Sequence, residues 1–184
     1  MIDLNIISGL RKGDKESFTL IVREMTAPML RLAGRVVNNT EEAEDIVQEC
    51  FLKVWEKRDS IKTDQSFMAW LRRIVINRCY DFLRKEKRKS VSRVDIDTVH
   101  TISASLSEEA DTAINEEDVS EIIACLTEGL SPRQKVVYVL SELEGYSNQE
   151  ISKSTGMSAN AVKSNLHHAR KAARETYNRI EKLM

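Results

Sequence analysis

Apolar side chains recur along much of this chain at intervals of three and four residues, the spacing that puts them on one side of an α-helix. Phe18, Ile21, Val22, Met25, Met29, Leu32 and Val36 form such a stripe. Asp14 stands just ahead of it, where a carboxylate can accept the unpaired N–H groups of a first helical turn. This predicts a helix from Asp14 to about Val37, with a kink at Pro28, which removes one internal hydrogen bond. A shorter helix is expected before it, from Leu4 to Leu10, ending near Gly13. Asn39-Thr40-Glu41-Glu42 has the form of a capping box. It opens a helix to about Lys57 with Ile46, Val47, Cys50, Phe51 and Val54 inside and Glu42, Asp45, Gln48 and Glu49 largely outside. After a polar stretch, Arg58 to Gln65, a long helix is expected from Ser66 to about Lys89, with Phe67, Leu71, Ile74, Val75 and Phe82 on its apolar side.

The pattern then lapses. Residues 91–118 are rich in Ser, Thr, Asp and Glu, lack aromatics and hold few apolar positions, which reads as a flexible acidic tether without a core. Helical spacing returns with Val119 to Leu130. Ser131-Pro132-Arg133-Gln134 combines a cap, an N1 proline and an N3 glutamine, and the helix behind it carries Val136, Val137, Val139, Leu140 and Leu143 up to Gly145. Ser147-Asn148-Gln149-Glu150 is a second capping box, opening a short helix to about Thr155. Gly156-Met157-Ser158 is a tight turn, and Ser158 can cap a last helix to about Lys182. The expected fold is all-α: a four-helix unit over residues 1–90, a linker over 91–118, and a helix-turn-helix unit over 119–184.

Composition agrees with helices. The 184 residues hold only 6 Gly and 2 Pro, with 41% hydrophobic and 31% charged side chains, enough for a globular chain. No apolar run approaches the roughly 20 residues of a membrane span, and no signal peptide is visible, so a cytoplasmic location is expected. The cysteines, Cys50, Cys79 and Cys125, are odd in number and far apart, which favours small apolar residues over disulfides or zinc.

The formal net charge of −1 is uninformative, but its distribution is not. Residues 68–93 carry net +7, residues 94–128 carry net −10, and residues 129–184 carry net +4. Phosphate recognition needs local cationic faces rather than a positive total.

A short helix, a Gly turn and a longer helix make a helix-turn-helix pattern. At roughly 100° per residue, Leu166, Ala169, Ala173, Tyr177 and Ile180 fall within about 60° of Val162. Asn160, Lys163, Ser164, His167, Lys171 and Arg174 fall on the opposite side. That outer stripe offers donors and acceptors suited to base edges and phosphates, with Lys171 and Arg174 placed for phosphate. Asn165 lies at the flank. The competing reading is an ordinary helical hairpin with a solvated basic face. His167 and His168 point about 100° apart and have no Cys or carboxylate companions, so no metal is expected. The helix Ser66 to Lys89 mixes Trp70, Arg73, Asn77, Arg84, Lys85 and Arg88 with further aromatics and cations, a combination that suits unstacked bases and a phosphate track, or equally a core aromatic set with a solvated helix end. No nucleophile, general acid or ligand cluster stands out, so the chain is expected not to be an enzyme and to need no cofactor.

Three blocks resemble a known family. Ala43 to Trp55 (AEDIVQECFLKVW) and Phe67 to Arg88 resemble the second conserved region of sigma factors, and Leu130 to Arg170 resembles their fourth. Their order and the short chain resemble the extracytoplasmic-function group of the sigma-70 family, which lacks the long third region. The resemblance implies that core RNA polymerase, through its largest subunits, and promoter DNA are the partners, with no small-molecule substrate. Asp45, Gln48 and Glu49 would contact polymerase. Trp70, Arg73, Asn77, Arg84, Lys85 and Arg88 would read and open the −10 element, with Asn77 and the loop Asp59 to Gln65 holding a flipped base. The stripe from Asn160 to Arg174 would read the −35 element, and the acidic tether would run through the active-site cleft, its 28 or so residues reaching about 90 Å. Ala161 and Asn165 stand where the family often has Thr and Arg, and both bear on which −35 bases are read. An anti-sigma factor, in this group commonly anchored in the membrane, is a further implied partner. The rivals are a stand-alone helix-turn-helix regulator, which would bind an operator without polymerase, and a helical adaptor, which would show no salt-dependent nucleic-acid affinity.

Overall fold

A computed structural model of the chain describes residues 3–61, 64–92 and 116–182. Within them the chain forms α1 (Leu4–Arg11), α2 (Lys15–Val37), α3 (Thr40–Glu56), α4 (Asp64–Ser92), α5 (Glu116–Thr127), α6 (Pro132–Tyr138), α7 (Asn148–Thr155) and α8 (Ala159–Glu181). The expected all-α class holds among the described residues. Helix enters the proposed tether from both ends, and residues 93–115, its greater part, lie outside the described residues.

The caps follow the local chemistry. Asp14 accepts from the Glu16 and Ser17 N–H groups, and Ser131 and Ser147 each form a reciprocal box with Gln134 and Glu150. At α3 only half of the expected box forms: Asn39 accepts from the Glu42 N–H at 3.0 Å, and no return bond from Glu42 is present among the described residues. α2 runs on through Pro28 and ends at Asn38, whose φ of +56° is a left-handed cap that Asn tolerates better than most residues.

The first module packs α2, α3 and α4 against one another, with α1 against α2. Ile21, Leu32, Val36, Val47, Cys50, Val54, Phe67, Leu71 and Val75 are all buried there. Burial pushes the Cys50 thiol up to about 12 and raises Cys79 as well, so both are inert apolar fillers rather than reactive groups. In the second module α8 packs on α5, α6 and α7. Val162, Leu166, Ala169 and Ala173 are buried as the angular reading requires. The stripe stops short of its expected length: Tyr177 is 56% exposed and Ile180 half-buried, Tyr177 lining an open cleft with Leu126 and Tyr138 rather than packing into the core.

Past Tyr138 the α6 segment widens into a π-helical stretch, Val139–Leu143. The Glu144 N–H donates to Val139 at 3.1 Å and the Tyr146 N–H to Leu140 at 2.8 Å. The expected uninterrupted helix to Leu143 is thereby corrected. The wide turn keeps Val139 and Leu140 buried while Glu142 and Glu144 take separate partners.

The two modules are packed together. α4 touches α6 and α7, and α2 touches α5. The burial of Ile76, about 140° round α4 from Leu71, requires a second covering surface, which α6 and α7 supply. Polar bonds cross the same seam: Arg35 to Glu144 at 2.6 Å and Arg133 Nε to the Tyr80 hydroxyl at 3.1 Å. Asn38 completes it. With its oxygen turned toward Lys135, its amide accepts from Lys135 Nζ at 2.9 Å and donates to the Arg35 carbonyl at 3.2 Å.

Candidate polymerase and nucleic-acid surfaces

Asp45, Gln48 and Glu49 are all exposed on the outer side of α3. Glu49 is ion-paired with Arg78 of α4, a link between the two helices that sequence alone did not indicate. Leu52 lies one turn further along the same outer side and is 64% exposed. It was missed because an apolar residue reads as core; its signal is its place, within about 20° of Asp45 on the helix.

On α4 the side chains of Trp70, Arg73, Asn77, Arg84, Lys85 and Arg88 share one face, spanning about 120° of the helix. Arg73, Arg84, Lys85 and Arg88 are exposed, while Trp70 and Asn77 are half-buried. The Trp70 ring lies 6.1 Å from that of Phe67 and packs partly against the core. Its indole is therefore both a structural element and an accessible edge. The Arg84 guanidinium lies 5.6 Å over the Tyr80 ring, which holds it along the helix. Tyr80, Arg84 and Arg88 line one wall of a cleft of about 450 Å³ whose other wall is Ser131, Pro132 and Arg133. The second module thus crowds the cationic face of the first. Residues 62 and 63 of the loop that precedes α4 lie outside the described residues.

On α8, Asn160, Lys163, Ser164, His167, Lys171 and Arg174 are exposed along one side. Helix and turn are held rigidly behind them. Gly156 takes φ +73° as the C-cap of α7, Ser152 Oγ donates to the Met157 carbonyl at 2.6 Å, and Ser158 caps α8 through the Ala161 N–H. Arg170 fastens α8 to the π-helical stretch by a 2.8 Å bond to Glu142. Burial would raise the Glu142 carboxyl, but its bonds to Arg170 and Ser141 outweigh that and hold it below the usual range. Asn165 is spent on its own helix, donating to the Ala161 carbonyl at 2.7 Å. It is a flank residue, as its angle indicates, with one amide N–H held by its own helix. The His167 and His168 rings meet edge to face at 5.6 Å. No group of three or more His, Cys, Asp or Glu fit for a metal occurs among the described residues. No described helix is long and apolar enough to cross a membrane.

Comparison with known proteins bears on the whole arrangement. The Sigma-70 region 2 family matches residues 21–89, and the Sigma-70, region 4 family matches residues 120–172. The chain is 27% identical over 178 residues to the ECF RNA polymerase sigma-E factor of Escherichia coli (strain K12), covering 94% of this chain and 92% of that one. It is 28% identical over 174 residues to the ECF RNA polymerase sigma factor SigW of Bacillus subtilis (strain 168), covering 92% and 93%. Its fold is similar to CnrH solved in complex with the cytosolic domain of CnrY, with a TM-score of 0.64, 20% identity and coverage of 97% and 98%. It is also similar to the sigma factor RpoE solved with the anti-sigma factor NepR from Bartonella quintana, with a TM-score of 0.59, 26% identity and coverage of 85% and 95%.

Proposed function

Since the chain belongs to the extracytoplasmic-function group of the sigma-70 family and is an RNA polymerase sigma factor, we propose that its three exposed faces divide the work of initiation among them. The α3 face of Asp45, Gln48, Glu49 and Leu52 docks on the largest polymerase subunits. The α4 face of Trp70, Arg73, Asn77, Arg84, Lys85 and Arg88 binds the −10 element. The α8 face of Asn160, Lys163, Ser164, His167, Lys171 and Arg174 enters the major groove at −35. Residues 1–90 and 119–184 act as the two units and residues 91–118 join them. The chemistry of RNA synthesis belongs to polymerase; this chain contributes binding energy, in the cytoplasm where polymerase and DNA reside.

The observation that carries this reading is the pairing in one chain of two unlike DNA-suited faces. One mixes aromatics with cations, which favours unstacked bases. The other is a polar stripe on a helix-turn-helix, which favours duplex. Strand-separated −10 DNA bound better than duplex lowers the cost of melting by the difference. The test is a pull-down with core polymerase followed by transcription from random promoters. Start-site selection that follows the added chain supports it. Failure to bind core, or operator binding by the chain alone, overturns it.

Two substitutions separate the roles. Asn77→Ala is expected to slow open-complex formation by ~10-fold, the scale of one lost base contact, while core affinity is unchanged; permanganate footprinting and a core-binding titration read the two. Lys171→Ala is expected to weaken −35 duplex binding similarly across sequences and to lower the slope of log K against log salt by about 1. A sequence-selective loss would instead place Lys171 on a base.

The packed modules give the free chain a closed form. The −10 and −35 elements lie about 25 base pairs apart, ~85 Å of duplex at 3.4 Å per step, whereas α4 and α7 are in contact. Gripping both elements requires the seam to part. A protein that stabilises the closed form, an anti-sigma factor of the kind seen bound to RpoE, would hold the chain inactive, and we propose one as a partner.

A further inference from the structure

The end of α3 holds a cation that the three faces do not use. Arg58 opens the 3-10 turn Arg58–Ser60 that follows α3. Its guanidinium lies 4.7 Å over the Trp55 ring, and Nη1 donates to the Trp55 carbonyl at 2.8 Å. Trp55 in turn packs on Phe18 of α2, with ring centroids 5.0 Å apart. Arg58 Nε is shut off from solvent and has no hydrogen-bond partner. It faces the turn between α1 and α2: a Cβ added at Gly13, whose φ is +79°, would sit 3.5 Å from it. One side chain therefore ties the α1–α2 turn to the last turn of α3.

An unmade buried donor is a standing cost to folding, and an apolar side chain of similar shape would avoid it. What the guanidinium supplies instead is direction. Its fork is planar and rigid, and it is held by an aromatic face on one side and a carbonyl at its end. Three residues on, Ile61 is buried and its N–H donates to the Arg58 carbonyl at 3.3 Å. Ser60 Oγ donates to the Lys57 carbonyl at 2.7 Å. Two fixed points thus bracket Asp59 and Ser60, both exposed.

We infer that Arg58 is a positioning residue for −10 recognition, fixing the direction in which Asp59 and Ser60 leave α3 and so the entry to the surface that receives an unstacked base. It touches no DNA itself. The inference rests on the reading of this loop as part of the base-holding surface. A flexible cation at this place would tether the turn without aiming it, so Lys is not an equivalent.

The test uses holoenzyme and single-stranded −10 oligonucleotides from a promoter selected with this factor. One oligonucleotide is intact; the others carry one abasic position each. Wild-type holoenzyme is expected to prefer the intact strand over one abasic variant by ~10-fold, the scale of one stacked base. Arg58→Met, which keeps the buried stem, is expected to shrink that preference to within about 2-fold of none, with core affinity and abasic-strand affinity unchanged. Arg58→Lys is expected to fall between them, and it carries the same comparison should the Met variant not fold. A preference retained in both variants overturns the inference, and so does parallel weakening on intact and abasic strands, the result of a merely structural role. If wild type prefers no intact position, the base-holding reading itself fails first, and that outcome is visible before any variant is made.

Discussion

A bridge between positions 35 and 144 is expected to silence the factor reversibly. With Arg35→Cys and Glu144→Cys joined by a short, reductant-cleavable bis-maleimide, promoter-directed transcription should fall by ~100-fold or more, and cleavage should restore it. The magnitude follows from avidity: two linked sites that can both engage gain on the order of 10²- to 10⁴-fold over one, and lose it when geometry forbids joint engagement. Cys125, half-buried, is replaced by Ser beforehand, while Cys50 and Cys79 are buried and their thiols suppressed. The pair is well placed because the native side chains already meet at 2.6 Å across the seam.

The unbridged double variant is the control, and its expected behaviour is close to wild type. Arg35 and Glu144 keep 33% and 23% of their side-chain exposure, so the pair contributes only about 1 kcal/mol. Removing this pair alone therefore leaves the seam largely intact, since it also buries apolar side chains such as Ile76, and opening it needs competing contacts from polymerase and DNA. Full activity in the bridged chain would mean that the closed form is compatible with promoter recognition, and the proposed opening would be wrong.

The closed arrangement was not legible in the sequence, and α4 shows why. Phe67, Leu71, Ile74, Val75 and Phe82 form a stripe that announces one buried face. Ile76, Tyr80 and Leu83 fall off that stripe, and nothing local says what covers them. Their covering surface comes from helices more than forty residues away. The same limit explains Tyr177, which has the right phase to be core but lines an open cleft with Leu126 and Tyr138. The π-helical turn at Val139–Leu143 has no local signal, since every residue in it suits an ordinary helix. What could be read was local chemistry. Asp14, Ser131, Ser147 and Ser158 cap where their side chains predict, and the outer stripe of α8 is exposed as its period predicts. The surfaces were legible residue by residue. Their placement relative to one another was not.

Lys135→Met is expected to stabilise the free chain near neutral pH, with a gain that disappears as the pH rises. Lys135 is only 9% exposed, and burial pushes its ammonium down from 10.5 to about 8. The unfolded chain therefore holds the extra proton between those values, so stability climbs with pH across that window and the penalty is complete below about 8. That lowering sets an upper bound of about 3 kcal/mol, and the bond from Nζ to Asn38 at 2.9 Å, which favours the charged form, reduces it. A gain of about 1–3 kcal/mol at pH 7 remains for a Met that keeps the stem and leaves the charge out. The thiols run the other way. Cys50 and Cys79 are raised, so they keep their protons in the folded chain and erode stability above pH ~9 in both proteins. The informative quantity is thus the difference between variant and wild type in urea unfolding at pH 7, 8.5 and 10, in which the thiol contribution cancels. A difference that shrinks toward zero by pH 10 assigns it to the ammonium. A constant difference would trace it to packing, and a loss of stability at pH 7 would show that the bond to Asn38 outweighs the burial of the charge, making Lys135 a strut of the seam rather than a strain within it.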